Sequence, residues 1–229
     1  MTNKNIITVT NLIKMLDRET LRNHDVVVNL IRSFGLVQWG PPVFGADEVW
    51  KNHSQDMAGI YQTPAQMAKA LVYLSAFEIN SYAEIGVFQG GNFLFVSEYL
   101  RRFNPEIVCV AIDPTNYLNP EVKEYIGNNA WMTFKATTSE GVKGGRFDLV
   151  FIDGDHSAEW VRRDWDNLGQ YAKICMIHDI QETSCPAVTA FWGGMDRVGK
   201  TVIECLDHSS PVPLQGIGII HDQKLKGAA

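Results

Sequence analysis

Asp153, Asp155 and His156 stand close together in the string Phe147-Asp148-Leu149-Val150-Phe151-Ile152-Asp153-Gly154-Asp155-His156-Ser157, and His178-Asp179 follows the apolar run 173–177. Each apolar run reads as a buried strand. In open α/β sheets ligands sit outside the carboxyl ends of the strands, where the strand order reverses. Two neighbouring tips would then deliver the carboxylates of Asp153, Asp155 and Asp179 together with the imidazoles of His156 and His178. Such a set suits a hard or borderline divalent ion with positions left for water and a substrate oxygen. The plainer alternative is that Asp155 caps the helix from Ser157, His156 packs on its first turn and His178 bonds within the core.

A second stretch, Tyr82-Ala83-Glu84-Ile85-Gly86-Val87-Phe88-Gln89-Gly90-Gly91-Asn92, reads as a strand, a glycine turn and the start of the amphipathic segment 93–102. Gly86 leaves the strand tip at a φ that side chains disfavour, and Gly90 and Gly91 let backbone approach a ligand. Asp113 ends the next apolar run, 107–112, about 20 residues past the glycines, the distance at which an acid meets ribose hydroxyls. The loop departs from the dinucleotide pattern G-x-G-x-x-G, because Phe88 occupies the place of the middle glycine. Its bulk disfavours a pyrophosphate, and no G-x-x-x-x-G-K-[ST] is present for a triphosphate. A nucleoside without phosphates fits better.

The elements that must position these residues alternate. Strands are predicted at 82–86, 107–112, 131–136, 148–152 and 173–177, with helices near 92–103, 120–127, 157–168 and 186–192. This is the signature of a doubly wound parallel sheet. The runs 201–206 and 216–221 are joined by a segment too short and proline-rich for a crossover helix, so they are predicted to pair antiparallel. Thr63-Pro64 marks a helix start, with Thr63 as N-cap and Met67, Leu71 and Leu74 on the buried face. Residues 1–60 form a separate helical layer: one helix capped at Thr10 or Asn11 and running to Leu16, another over 25–34, then a loop from Leu36 to His53. The layer is expected to cap the carboxyl end of the sheet or to lie at a contact between subunits of a homo-oligomer. Residues 61–229 form the ligand-binding domain.

The chain has 229 residues, 45% of them hydrophobic and 20% charged, with a net charge of −6. These are ordinary globular values, and scattered lysines and arginines do not suggest a nucleic-acid or membrane surface. No apolar run reaches the length of a membrane span, and the first residues lack a signal-peptide pattern. Cys109, Cys175, Cys185 and Cys205 form no C-x-x-C pair and read as reduced core thiols in a cytoplasmic protein, not as zinc ligands.

Glu84-Ile85-Gly86 with Gly90, Asp113 and the terminal strand pair resemble a class I S-adenosylmethionine-dependent methyltransferase, over roughly residues 63–223. The strings around Ile152-Asp153-Gly154-Asp155-His156-Ser157 and Met176-Ile177-His178-Asp179-Ile180 resemble the branch that holds small-molecule and sugar O-methyltransferases and cephalosporin-hydroxylase-like proteins. The resemblance implies a Rossmann-like α/β fold of seven strands with the last antiparallel. It implies S-adenosyl-L-methionine held by Glu84 and Gly86 at its methionine part, with Gly90 in the glycine loop. Asp113 would hold its ribose, and Thr138 with Thr137 and Ser139 would lie at its adenine, edged by His156. It implies a magnesium, manganese or iron ion on Asp153, His178 and Asp179, with Asp155 or His178 as the base. His178 departs from the magnesium enzymes, which carry an acid there, and shifts preference towards manganese, iron or zinc.

The expected reaction is attack of a small-molecule or sugar hydroxyl on the sulfonium methyl, helped by an ion or a base. A metal-dependent hydroxylase using the same ligands and a non-catalytic nucleoside-binding module are the alternatives. Trp160 and Trp165 are expected to pack in the core, while Phe191-Trp192 suits a substrate wall and core packing equally.

Overall fold

The computed structural model describes residues 4–36, 59–207, 215–225 and 227. The predicted loop over 36–53 therefore lies almost wholly outside the described residues. Seven strands form one sheet: β1 (Ser81–Ile85), β2 (Val108–Asp113), β3 (Met132–Ala136), β4 (Leu149–Ile152), β5 (Ile174–His178), β6 (Lys200–Cys205) and β7 (Ile217–Asp222). Their order is β3-β2-β1-β4-β5-β7-β6, and β7 runs antiparallel to both neighbours. The order reverses between β1 and β4, which pair in parallel with Ile85 opposite Ile152. That reversal places the tips carrying Gly86 and Asp153 side by side.

Strand residues alternate between two cores, as the two-residue period of a pleated strand requires. Tyr82, Leu149, Phe151, Ile174, Met176, Ile217 and Ile219 face one side; Ala83, Ile85, Val150, Ile152, Cys175, Ile177 and Ile220 face the other. The first side is covered by α4 (Pro64–Leu74) and α5 (Gly91–Phe103), the second by α7 (Ala158–Asn167) and α8 (Pro186–Gly193). α6 (Pro120–Gly127) flanks β3.

The N-terminal helices α1 (Lys4–Met15), α2 (Arg18–Leu21) and α3 (His24–Phe34) add a third layer on the first side. Ile6, Val9, Ile13, Val27, Ile31 and Phe34 belong to the same continuous core as Leu71, Phe95 and Tyr99. Arg102 of α5 donates to the Leu16 carbonyl at 2.6 Å, and Tyr99 donates to the Leu21 carbonyl at 2.8 Å. These helices lie on α4 and α5, where their apolar faces are buried. Thr10 is no N-cap: it is buried in mid-helix, and its hydroxyl donates to the Ile6 carbonyl at 2.9 Å. α3 is capped by Asn23, whose side chain accepts from the amides of Asp25 and Val26. At α4, Pro64 opens the helix as expected, but Thr63 spends its hydroxyl on Gln215 Oε1 at 2.8 Å and makes no cap bond.

Candidate active site

Two clefts open at the carboxyl end of the sheet and share Gly86, Phe88 and Asp153. One, of about 340 Å³, is lined by Asp113, Thr137, Thr138, Ser139, Asp155 and Trp160. The other, of about 250 Å³, is lined by Tyr61, Gln62, Glu84, His156, His178 and Asp179.

Gly86 makes their common wall possible. Its φ is +83°, and a Cβ there would lie 2.2 Å from the Asp153 carbonyl oxygen and 2.4 Å from the Gly154 Cα. The tip of β1 thus touches the tip of β4 at a distance only glycine permits. Gly90, also at positive φ, lines the smaller cleft together with Gly91, and it has a packing role as well. A side chain there would strike Leu118 and Val122, so its smallness seats the segment leading into α6.

In the larger cleft Asp113 is buried and fixed by two amides: Thr115 donates to Oδ1 at 3.0 Å and Phe88 to Oδ2 at 3.1 Å. Each carboxylate oxygen keeps a lone pair for a further donor, which is the capacity a vicinal diol uses. Thr138 lines the same cleft, as expected. Ser139 is buried and otherwise engaged, donating to Asp164 Oδ1 at 2.6 Å and accepting from Asn167. Burial pushes the Asp164 carboxyl up to about 6. Trp160, expected in the core, instead borders this cleft, with the Arg163 guanidinium 4.3 Å from its ring centre. Trp165 does pack against Phe191 in the core, and Trp192 is buried with its indole donating to Glu204 at 2.7 Å. The substrate-wall reading of Phe191-Trp192 is thereby set aside.

The smaller cleft gathers the acid–imidazole cluster. His178 Nδ1 lies 3.0 Å from Asp153 Oδ1 and 3.3 Å from Asp179 Oδ1. Burial works against charge on this ring, yet the two carboxylates prevail and carry its pKa up to about 10. Asp153 is correspondingly held below the usual carboxylate range: burial resists its charge, and the two imidazoles outweigh that resistance. Asp179 follows β5 at φ 59°, a left-handed conformation that an Asp tolerates better than most residues and that turns its carboxylate back towards the cluster. His156, expected at the edge of an adenine pocket, is turned instead towards Asp179, with Nε2 3.1 Å from Oδ2. The surrounding carboxylates, Asp153 foremost, raise its pKa.

Glu84 is buried in the same cleft, accepting from the Tyr82 hydroxyl and from Asn92 at 3.2 Å. Burial drives its carboxyl up to about 8, so it is largely protonated at neutral pH. Asp155 is not brought into the cluster. It is exposed, faces the larger cleft, and accepts from the Ser157 amide at 2.8 Å; the Ser157 hydroxyl and amide together hold its pKa down.

The cluster demands a positive charge at its centre, because two carboxylates this close repel unless something neutralises them. A proton on His178 meets that demand, and so would a metal ion: Asp153, His178 and Asp179 each offer a ligand atom, all within 4.8 Å of one another. His178 Nε2 is buried with no hydrogen-bond partner among the described residues. The donor set fits a borderline divalent ion.

Several lining residues escaped the sequence reading. Gln62 donates through its amide nitrogen to Asp153 Oδ2, while its Oε1 is buried without a partner among the described residues. Gln215 donates to the Tyr61 carbonyl at 2.7 Å and accepts from the Thr63 amide, tying the segment before α4 to the start of β7. Neither carries a motif. Cys185 was read as a plain core thiol, yet its sulfur lies 3.6 Å from Asp179 Oδ2. The turn at 179–185 creates that contact, and no spacing rule announces it.

Residues 83–180 match the family model described as a methyltransferase domain. No curated protein matches the sequence at a significant level. Among solved structures, a putative rRNA methylase from Clostridium thermocellum aligns with TM-score 0.55 at 10% identity, covering 69% of this chain and 97% of that one. The O-methyltransferase TomG from Streptomyces achromogenes, in complex with SAM, aligns at 0.51 and 14% identity, covering 70% and 80%. An O-methyltransferase from Bacillus cereus, in complex with SAH, aligns at 0.52 and 12% identity, covering 72% and 83%. At such identities the likeness is one of fold. The strand order with its reversed β7, the glycine tip and the matched domain agree: residues 83–180 are a methyltransferase domain in a chain with the class I, S-adenosylmethionine-dependent methyltransferase fold.

Proposed function

We propose that the chain is an S-adenosylmethionine-dependent O-methyltransferase acting on a small-molecule or sugar hydroxyl. The observation that carries this reading is the pair of clefts meeting at Gly86, Phe88 and Asp153, one suited to a nucleoside and the other to an ionisable oxygen. Solved structures of the same fold with SAM or SAH bound support the choice of donor. The donor would supply an electrophilic methyl on a sulfonium.

Asp113 and Thr138 would bind the nucleoside, with Phe88 closing its near side. Gly86 and Glu84 would border the methionine part. A protonated Glu84 adds no negative charge there, which suits a ligand that brings its own carboxylate. The acceptor would enter the smaller cleft past Tyr61 and Gln62, and Gln62 Oε1 offers an acceptor to a second hydroxyl. Asp153 borders both clefts, so it stands where the reacting oxygen would meet the donor, and its carboxylate could accept a hydrogen bond from the acceptor hydroxyl; His178 would serve as the base only in its neutral form.

Asp153, His178 and Asp179 would hold a divalent ion, manganese or iron more readily than magnesium because of the imidazole. When bound, it would lower the pKa of the acceptor hydroxyl. Localisation in the cytoplasm and association with copies of itself remain part of this reading. Among the described residues no helix is long and apolar enough to cross a membrane.

The test is a methyl-transfer assay with labelled donor against a panel of sugar and phenolic hydroxyl acceptors, run with manganese and with chelator. Labelled acceptor in the complete reaction supports the reading. Oxygen-dependent product without methyl transfer would replace it with the hydroxylase.

A further inference from the structure

Asp179 stands between two sets of donors. Its Oδ1 faces the Asp153–His178 pair. Its Oδ2 faces the other way, 3.1 Å from His156 Nε2 and 3.6 Å from Cys185 Sγ. His156, Asp179 and Cys185 each offer a ligand atom, and those atoms lie within 4.8 Å of one another.

Two of these separations are close to those of a known coordination geometry. Zinc bonds of about 2.3 Å to sulfur, 2.0–2.1 Å to imidazole nitrogen and 2.0–2.2 Å to carboxylate oxygen, arranged as a tetrahedron, put neighbouring ligand atoms about 3.3–3.6 Å apart. The two contacts of Asp179 Oδ2, 3.1 Å to nitrogen and 3.6 Å to sulfur, lie within a few tenths of an ångström of those edges, and the third pair is within 4.8 Å. Cys185 is held at the N-cap of α8, its amide donating to the Glu182 carbonyl at 3.1 Å. Asp179 is fixed by its left-handed backbone. The His156 side chain is 43% exposed, which leaves solvent a way in.

We propose that His156, Asp179 and Cys185 form a second metal site, for an ion of the zinc class, bridged through the two oxygens of Asp179 to the Asp153–His178 set. The proposal shares Asp179 with the site of the proposed function but does not depend on methyl transfer. Binding replaces the thiol proton: the S–H bond breaks, the sulfur pair goes to the ion, and the proton leaves to solvent. Thiolate and imidazole with one carboxylate select zinc or cobalt(II) over magnesium. Three protein ligands leave the fourth tetrahedral position open, as in sites that bind water or a substrate oxygen. The two sites would differ in kind, the inner rich in oxygen and the outer carrying sulfur.

Cobalt(II) titration of the metal-stripped full chain, followed by absorption, tests this directly. The expected result is a near-ultraviolet thiolate-to-cobalt charge-transfer band with strong tetrahedral visible bands, displaced by zinc and not by excess magnesium. Cys185→Ser should abolish the charge-transfer band. His156→Ala, at a half-exposed position that the fold tolerates, should weaken zinc binding at least about 10-fold. Asp153→Asn should keep the band. Cobalt binding without a charge-transfer band, or a band that survives Cys185→Ser, would overturn the proposal while leaving the inner site standing. Absence of any cobalt binding would overturn it as well, and methyl transfer in the presence of chelator would then show whether the proposed activity survives alone.

Discussion

Asp153 Oδ1 and His178 Nδ1 lie 3.0 Å apart across the tips of two neighbouring parallel strands. The contact joins the end of β4 to the end of β5, and Asp179 completes it from the other side of the ring. If this group holds an ion, Asp153→Ala removes one ligand and leaves Asp179 as the one remaining carboxylate beside the His178 ring. Manganese affinity should fall by at least about 100-fold, and methyl transfer should fall with it. Calorimetry on the variant checks the first and the labelled-donor assay the second. Unchanged manganese affinity would remove Asp153 from the ligand set.

Asp155 gives a sharper discrimination. As the base it would be worth about 10²–10⁴-fold in turnover. Its side chain instead serves the Ser157 amide beside the nucleoside cleft. Asp155→Asn is therefore expected to raise KM for the donor and to change kcat by less than about 10-fold. Steady-state kinetics with each substrate varied separates the outcomes. A kcat loss beyond about 100-fold would return the base role to Asp155.

Gly86→Ala should harm both stability and the site. The positive φ alone costs an alanine about 1–2 kcal/mol, and the Cβ would press on the Asp153 carbonyl. Denaturant unfolding should show a loss of at least about 2 kcal/mol, with weakened donor binding in whatever remains folded. A variant of wild-type stability would show that the β1 and β4 tips are farther apart than described here.

Much of this was legible in the chain before its fold was known, and the reasons are local. Strand runs such as 107–112 and 173–177 are bounded by turn residues and alternate between two cores, so they emerge within a residue of Val108–Asp113 and Ile174–His178. Gly86, Asp113 and the Asp153 and His178-Asp179 tips follow from strand ends. Side-chain choices made through tertiary contact were not legible. Thr10 and Thr63 look alike as caps, yet one hydroxyl is satisfied inside its own helix and the other by Gln215, far along the chain. His156 looked like an adenine neighbour until Asp179 turned back at positive φ to meet it. Gln62 and Cys185 reach the cluster from segments without any motif.

Asp164 should leave a signature in stability against pH. Burial raises its folded-state pKa to about 6, above the ordinary value of 3.8. Between those values the native state binds more protons than the unfolded chain, so stability falls as pH rises through that window and levels off above it. The contribution is complete below the unfolded pKa and is lost as pH passes about 6. Asp164→Asn removes the titration. The stability difference between wild type and this variant should shift against the wild type from pH 4 to pH 6.5, by about 1–3 kcal/mol. A pH-independent difference would show that Asp164 titrates normally.

The central claim, that the larger cleft holds the nucleoside of a methyl donor, is tested most directly by calorimetric titration of the wild type and Asp113→Ala with S-adenosylhomocysteine and, separately, with NAD. The account expects S-adenosylhomocysteine to bind the wild type with one site per chain and NAD to bind weakly or not at all. Loss of hydrogen bonds to the charged Asp113 acceptor should weaken binding by about 1.5–3 kcal/mol in the variant. Tight NAD binding with no S-adenosylhomocysteine binding, or an affinity indifferent to Asp113→Ala, would contradict it.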